Sequence, residues 1–530
     1  MSSTSINLHP VDIAIVVAYM AILVAVGIYH SRRQDSLLDF FLAHKSMTWI
    51  PVGISLMAAL NSGLDYLNTP SAVIRLGWLI ILLNGSWLVL YPYMVRIVLP
   101  MYRRLNVISV YEYLGLRFGE GMRTFAAGLF FCWRLSWMAT ALFVPCLAIT
   151  TAVGREEWLV PMIIVLGAIV TFYTMMGGIK AVIWNDVSQF FLMMVGLVVT
   201  LVIVISRVDG GITAVFGEMF TEGLENVPHP AIDTSTWWGK VWSYFSIDLV
   251  IPGIVFAWFC RLGGFTSDQV MIQRFSTAKT LRHAQRSFLI TAVADILWMV
   301  LLFVVGVALV CYLKGDTAFS GWDALPDWVR GNTDRIFPHV MAEIFPVGVT
   351  GLVLAAILAA SLSSVDSAIN SLTTIGMVDF YRRLYLGLPD GEQGESGAEQ
   401  RRQVWISRGL NILVGVAGIT LSCFVENMGT LFDVATKILG SFAAIMLGIF
   451  WLGMFTKRAT LLSTMVGAMV GVAIMLVLTF VEEISIGAIW VAPAALLATL
   501  VFGVILGTSN PGEGGTQWNW WAIMQKPLPD

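Results

Sequence analysis

The residues best suited to chemistry lie at 358–371, LAASLSSVDSAINS, inside an apolar run from about 347 to 377. At about 100° per residue, Ala360, Ser363, Ser364, Ser367 and Ser371 project to one side of a helix, with Asp366 and Asn370 along its edge. Leu362, Val365, Ile369 and Leu372 project the other way. Small, oxygen-bearing side chains on one face suit close helix packing in a membrane, where Ser hydroxyls bond back to the preceding turn. They also suit a cation. Asp366 tilts the choice, because a carboxylate at membrane depth is costly and faces a partner, a cavity or an ion. The stretch is read as an ion site.

Three further stretches share this chemistry. In 58–70, AALNSGLDYLNTP, polar residues, Gly and Pro crowd a run where a continuous helix would favour Leu and Ala, so the helix should break there. A break at this depth is tolerated where freed carbonyls meet protein, water or an ion, and those of Ala58 and Asn61 suit a cation. A simple kink would leave Asp65 unexplained. In 173–189, Gly177-Gly178 precede Asp186, which reads either as an ion ligand or as a capping or interfacial carboxylate. In 263–274, GGFTSDQVMIQR, a second glycine-broken helix is expected; taken alone it reads as a helix end capped by Ser267 or Asp268 at the cytoplasmic face.

The elements that position these residues are set by composition. The chain has 530 residues, 57% hydrophobic and only 12% charged, and a mean hydropathy of +0.80, far more apolar surface than a soluble protein buries. It is an all-α integral membrane protein. About thirteen spans are expected, roughly 11–30, 47–73, 76–100, 122–153, 157–178, 182–207, 242–266, 286–313, 345–379, 404–425, 430–454, 459–481 and 484–507. The first lacks a small-residue cleavage pattern and is read as a retained helix. Lys and Arg cluster on one side of the alternation (Arg32, Arg33 and Lys45; Arg103, Arg104, Arg117 and Arg123; Lys180; Arg274, Lys279, Arg282 and Arg286; Arg382, Arg383, Arg401 and Arg402; Lys457 and Arg458). That side is cytoplasmic by the positive-inside rule, which puts the amino terminus outside and the carboxyl terminus inside.

Segments 208–241 and 314–344 read as lids over an outer vestibule, 387–400 as disordered, and 518–521 as an interfacial aromatic anchor. The five cysteines are scattered singly, as small core residues, and no basic tract suggests nucleic acid. A membrane enzyme is the main rival class. The six histidines (His9, His30, His44, His229, His283, His339) lie in or beside loops, however, and no serine sits in a nucleophile-elbow context. A channel or solute sensor on the same scaffold is the third class.

In order along the chain, these pieces resemble the sodium:solute symporter family. The resemblance is carried by 39–43 (DFFLA), 109–114 (SVYEYL) with 117–119 (RFG), Gly177-Gly178 with Ala181, Val182, Asp186 and Gln189, Asp268-Gln269 with Gln273-Arg274, Ser363-Ser364 with Ser367 and Asn370-Ser371, and 437–440 with 453–458. It implies a LeuT-like fold: one extra leading helix (11–30), two inverted five-helix repeats (47–207 and 242–454), two trailing helices (459–507) and a cytoplasmic tail (508–530), in one transporter domain. It implies Na⁺ as the coupling ion, no organic cofactor, and a chain working as a monomer in the cell membrane. The family's common sodium site maps onto Ala58, Asn61, Ala360, Ser363 and Ser364. Members moving two sodiums add a site that here would use Asp186, Ser363 and Ser367; Asp366 stands where those members carry a hydroxyl, and would strengthen the site or hold a proton.

The solute is expected between the broken helices, against Ser62, Asp65, Asn84, Arg134 and Asp268, and to carry a carboxylate. Arg134 lies within an apolar span, where a guanidinium is costly unless paired, and it can fork two bonds to a carboxylate. The helix around it is similar to that of bacterial sialic-acid symporters, in which the Arg holds the acid group. Asp65 and Asn84 depart from those carriers, so an amino acid, another zwitterion or a neutral sugar stays open. The competing reading of Arg134 is a buried ion pair with Asp65.

Overall fold

The computed structural model describes residues 9–31, 36–76, 79–219, 250–314, 336–388, 397–425, 440–481, 488–507 and 517–528. The expectations for 387–400, for the bulk of both outer segments and for 437–439 fall largely outside those residues. Every extended element described is a helix.

The leading helix is α1 (Pro10–Ser31). The first polar break divides α2 (Trp49–Leu60) from α3 (Gly63–Leu76), bent by 59°. The next expected span is divided too, into α4 (Leu79–Asn84) and α5 (Trp87–Tyr93), with a turn at Gly85-Ser86. Arg134 is carried on α6 (Glu120–Val153). The expected fifth and sixth spans form one helical run, α7 (Leu159–Ser206), kinked at Gly178, whose φ of 56° and ψ of −166° suit glycine. The second break separates α8 (Val250–Thr266) from α9 (Gln269–Thr277). Then follow α10 (Leu281–Lys314), α11 (Val349–Ile375), α12 (Gly397–Ser422), α13 (Gly440–Phe455), α14 (Leu461–Phe480), α15 (Ala488–Ile505) and the short α16 (Trp520–Gln525). Among the described residues, eight helical segments are long and apolar enough to cross a membrane, nine with the bent pair α2/α3; three more are apolar but shorter.

The Ser-rich helix is the axis of the bundle. Its most apolar window is 94% buried, against 28–33% for the windows of α1, α12 and α14, and it packs on α1, α2, α3, α6, α7, α9 and α12. Small residues make that centrality possible. A Cβ at Gly63 would lie 2.2 Å from Ser361 Oγ, so the start of α3 approaches α11 as only glycine allows. The Asp12 carboxylate of α1 accepts from the Gly348 and Gly351 amides at 2.8 and 2.7 Å, satisfying donors at the start of α11.

Basic clusters expected on one side do meet. Arg103 donates to the carbonyls of Ala278 and Lys279, Arg117 to those of Thr456 and Ala459, Arg383 pairs with Glu120, and Arg104 donates to Lys526 O at 2.9 Å. The carboxyl-terminal aromatic segment folds back onto the protein: Trp520 and Trp521 pack against Phe455, and Trp520 Nε1 donates to Ile97 O. Arg274 corrects the loop reading, because it is fully buried inside the bundle.

Candidate ion and solute sites

At the first break a diverted hydrogen bond frees a backbone carbonyl. In a continuing helix the Ser62 amide would donate to Ala58 O; instead it donates to Asp65 Oδ2 at 2.7 Å, while Ser62 Oγ accepts from the Leu64 amide at 3.1 Å. Ser62 and Asp65 thus form a capping box that starts α3. Asn61 is extended (φ −102°, ψ 141°) and lies outside both helices. The released Ala58 carbonyl accepts from Ser363 Oγ at 2.9 Å, Asn61 O accepts from Ser364 Oγ at 3.3 Å, and Ala360 O accepts from Ser363 Oγ at 2.8 Å. All five expected sodium ligands therefore converge in one buried cluster of three carbonyls and two hydroxyls. Such neutral hard oxygens suit a monovalent cation that must later be released. Ser361 Oγ, off this face, is buried with no hydrogen-bond partner among the described residues.

The expected second-ion residues surround a charge that sequence reasoning had assigned to a loop. Arg274 Nη2 lies 2.9 Å from Asp186 Oδ2 and donates to Ser367 Oγ, while its Nε donates to Ser55 Oγ at 2.8 Å. Ser55 Oγ in turn donates to Asp186 Oδ2 at 2.5 Å. Asp186 is thus a bundle-interior ion-pair partner, not an interfacial cap. Asp366 accepts from Tyr173 OH at 3.1 Å and from Ser367 Oγ at 3.3 Å. Two carboxylates and one guanidinium share the region, and Asp186 Oδ1 keeps no hydrogen-bond partner among the described residues.

The expected solute residues form three groups. Ser62 and Asp65 make the capping box. Arg134 Nη1 pairs with Asp268 Oδ2 at 3.3 Å, which corrects the alternative Arg134–Asp65 pair. Asp268 belongs beside Arg134 because its Oδ1 caps α9, accepting from the Val270 amide at 2.8 Å. The Arg134 guanidinium lies 5.6 Å from the Trp137 ring centroid, and its Nε and Nη2 have no hydrogen-bond partner among the described residues. Asn84 stands apart at the end of α4; its amide is 3.4 Å from Ile80 O and its Oδ1 is unpartnered among the described residues.

A further network, absent from the sequence reading, centres on the buried Asp295 of α10. It accepts from Asn61 Nδ2 at 2.6 Å, Trp87 Nε1 at 2.7 Å and Arg261 Nη2 at 3.2 Å. A charge inside an apolar run, the signal that singled out Arg134, marks Asp295 and Arg261 as well.

Two helices broken at mid-bundle, with freed carbonyls turned onto a Ser-bearing helix, define the class of cation-coupled secondary transporters. Residues 40–471 match the sodium:solute symporter family, and the chain belongs to that family. It is a sodium-coupled transporter and not an enzyme. The chain is 29% identical to a sodium/sialic acid symporter of Aliivibrio fischeri, over 92% of this chain and 89% of that one. Sodium-coupled monocarboxylate transporter 1 of Mus musculus is 27% identical, over 88% and 72%. Among solved structures, a Na⁺-coupled sialic acid symporter in a substrate-bound, outward-open state superposes with a TM-score of 0.78 at 25% identity, covering 94% of this chain and 97% of that one. A nucleobase-cation-symport-1 family transporter in a closed conformation has a TM-score of 0.52 at 14% identity, covering 94% and 97%, a likeness of fold.

Proposed function

We propose that this symporter imports a carboxylate-bearing sugar or related organic acid, with Na⁺ held by Ala58, Asn61, Ala360, Ser363 and Ser364. The observation that carries the solute class is Arg134: a buried guanidinium with one carboxylate neighbour and two nitrogens, Nε and Nη2, unmatched among the described residues favours a planar, two-oxygen anion. Likeness to sodium/sialic acid symporters and to sodium-coupled monocarboxylate transporters, whose solutes are organic acids, supports the same class. Competition for uptake into proteoliposomes by sialate, lactate, proline and glucose, on wild type and Arg134→Ala, tests it. Inhibition by the acids, weakened in the variant, is the expected result. Inhibition by glucose alone would overturn it, and normal affinity in the variant would make Arg134 structural.

A zwitterionic solute is the second reading. Asp65 favours it, as a half-buried carboxylate with only one oxygen engaged in the capping box. We read Asp186, Asp366 and Ser367 as a second cation or proton site sharing its space with the Arg274 guanidinium. The meeting of the basic clusters supports an outside amino terminus and an inside carboxyl terminus, and 47–207 and 242–454 are read as the two inverted repeats. All five sodium ligands come from one chain, which supports a functional monomer.

A further inference from the structure

Arg123, Arg134, Arg261 and Arg274 each pair with a carboxylate inside the bundle. The side chains of Arg123, Arg134 and Arg274 are 2%, 4% and 1% exposed, whereas that of Arg261 is 26% exposed. Arg261 is therefore the most accessible of the four, although its guanidinium is held. Its Nη1 donates to Ser86 Oγ at 2.9 Å, its Nη2 is 3.2 Å from Asp295 Oδ2, and its guanidinium lies 5.8 Å from the Trp87 ring centroid.

The surroundings are built to admit it. The turn at Gly85-Ser86 interrupts the α4/α5 pair opposite α8, and a Cβ at Gly85 would lie 2.3 Å from the Trp258 ring, one turn before Arg261. Next to Gly85, Asn84 Oδ1 is buried and unpartnered among the described residues. The half-buried Asp65 carboxylate lies within electrostatic reach of both Arg261 and Asp295. A partly exposed arginine and a carboxylate within its electrostatic reach thus lie where the two broken helices face the interruption of α4/α5, with the unused Asn84 amide oxygen at the end of α4.

Asp295 joins this cluster to the ion site. Its Oδ1 holds the Asn61 side-chain amide at 2.6 Å, and the carbonyl of the same Asn61, in the extended backbone between α2 and α3, meets Ser364 Oγ. We propose that Arg261 is a second cationic contact for the anionic solute and that Asp295 carries its occupancy to the Na⁺ site through Asn61. This rests on the reading above that an anion and Na⁺ travel together. An anion pairing with Arg261 draws the guanidinium from Asp295. The carboxylate, less compensated, grips the Asn61 amide more firmly and adds negative potential beside the three carbonyls. Na⁺ binding then strengthens, and by linkage Na⁺ strengthens anion binding equally.

Binding of ²²Na⁺ to the purified full-length chain, with and without saturating sialate as the probe anion, tests this. In wild type sialate should tighten Na⁺ binding about tenfold, within the usual range of couplings between sites. In Arg261→Gln and in Asp295→Asn that ratio should fall to about one, and in Arg261→Lys, which keeps the charge, it should largely recover. A full ratio in Arg261→Gln, or no recovery in a monodisperse Arg261→Lys protein, overturns the role of Arg261. If wild type shows no response to sialate, the anionic-solute reading fails, and the Na⁺-only arm still judges the relay. Asp295→Asn should weaken ²²Na⁺ binding about tenfold without any solute, and unchanged affinity overturns the link through Asn61.

Discussion

Ser361, Ser363 and Ser364 are neighbours in sequence with opposite fates. Ser364 Oγ faces Asn61 O, so Ser364→Ala removes one of five oxygens from the proposed ion site. A lost hydrogen-bond-strength contact to a charge is worth about 1.5–3 kcal/mol, roughly 10- to 150-fold in Na⁺ affinity, and Na⁺-dependent uptake at millimolar Na⁺ should disappear. Ser361→Ala deletes a hydroxyl without a hydrogen-bond partner among the described residues and should leave uptake within about twofold. Equal loss in both variants would show that the whole face matters only for packing. Asp186 is the residue whose role structure complicates most. If a second cation binds, Asp186→Asn should lower the sodium Hill coefficient from near two toward one, whereas a coefficient of one in wild type assigns Asp186 to its pair with Arg274.

At the scale of elements, the α2/α3 break depends on one carboxylate diverting one amide. Asp65→Ala should cost about 1 kcal/mol in the lost cap and let the Ser62 amide return to Ala58 O, removing a proposed sodium ligand. Asp65→Asn keeps an acceptor and should retain most Na⁺ affinity. Sodium titrations of the two variants measure this directly. A zwitterionic solute would add a second signature: Asp65→Asn would spare Na⁺ binding yet weaken solute affinity. Gly63→Val should fail more completely than either, since its side chain has no room against Ser361 and the Ile357 carbonyl.

For the whole molecule, the proposed ion site joins α2, the extended link before α3 and the central α11, so an ion there would clamp parts of the bundle that otherwise touch through small residues. Na⁺ binding to the folded state alone should raise the melting temperature in detergent relative to choline by about 2–5 °C at 100 mM, by mass action. Ser364→Ala should abolish that shift. An equal shift in both proteins would mean that Na⁺ acts on the folded chain elsewhere.

Sequence alone determined the membrane class, both helix breaks and the polar face of α11, while the proposed sodium-ligand set came from the family resemblance. Those features are local: Gly, Asn, Asp and Pro at membrane depth disrupt a helix wherever it lies, and a 100° period assigns Ser363 and Ser364 to one face without reference to a partner. Tertiary structure decided how the charges pair. Arg274 counted as a loop charge by its position, yet α9 carries it inward to Asp186; Arg134 pairs with Asp268 at the start of α9, while Asp65 holds the Ser62 amide at the start of α3. The Asn61–Asp295–Arg261 chain joins residues 34 to 234 positions apart and follows no sequence period. Burial makes an unpaired charge costly, but any opposite charge within reach can satisfy it, and only the packed arrangement of helices settles which one does.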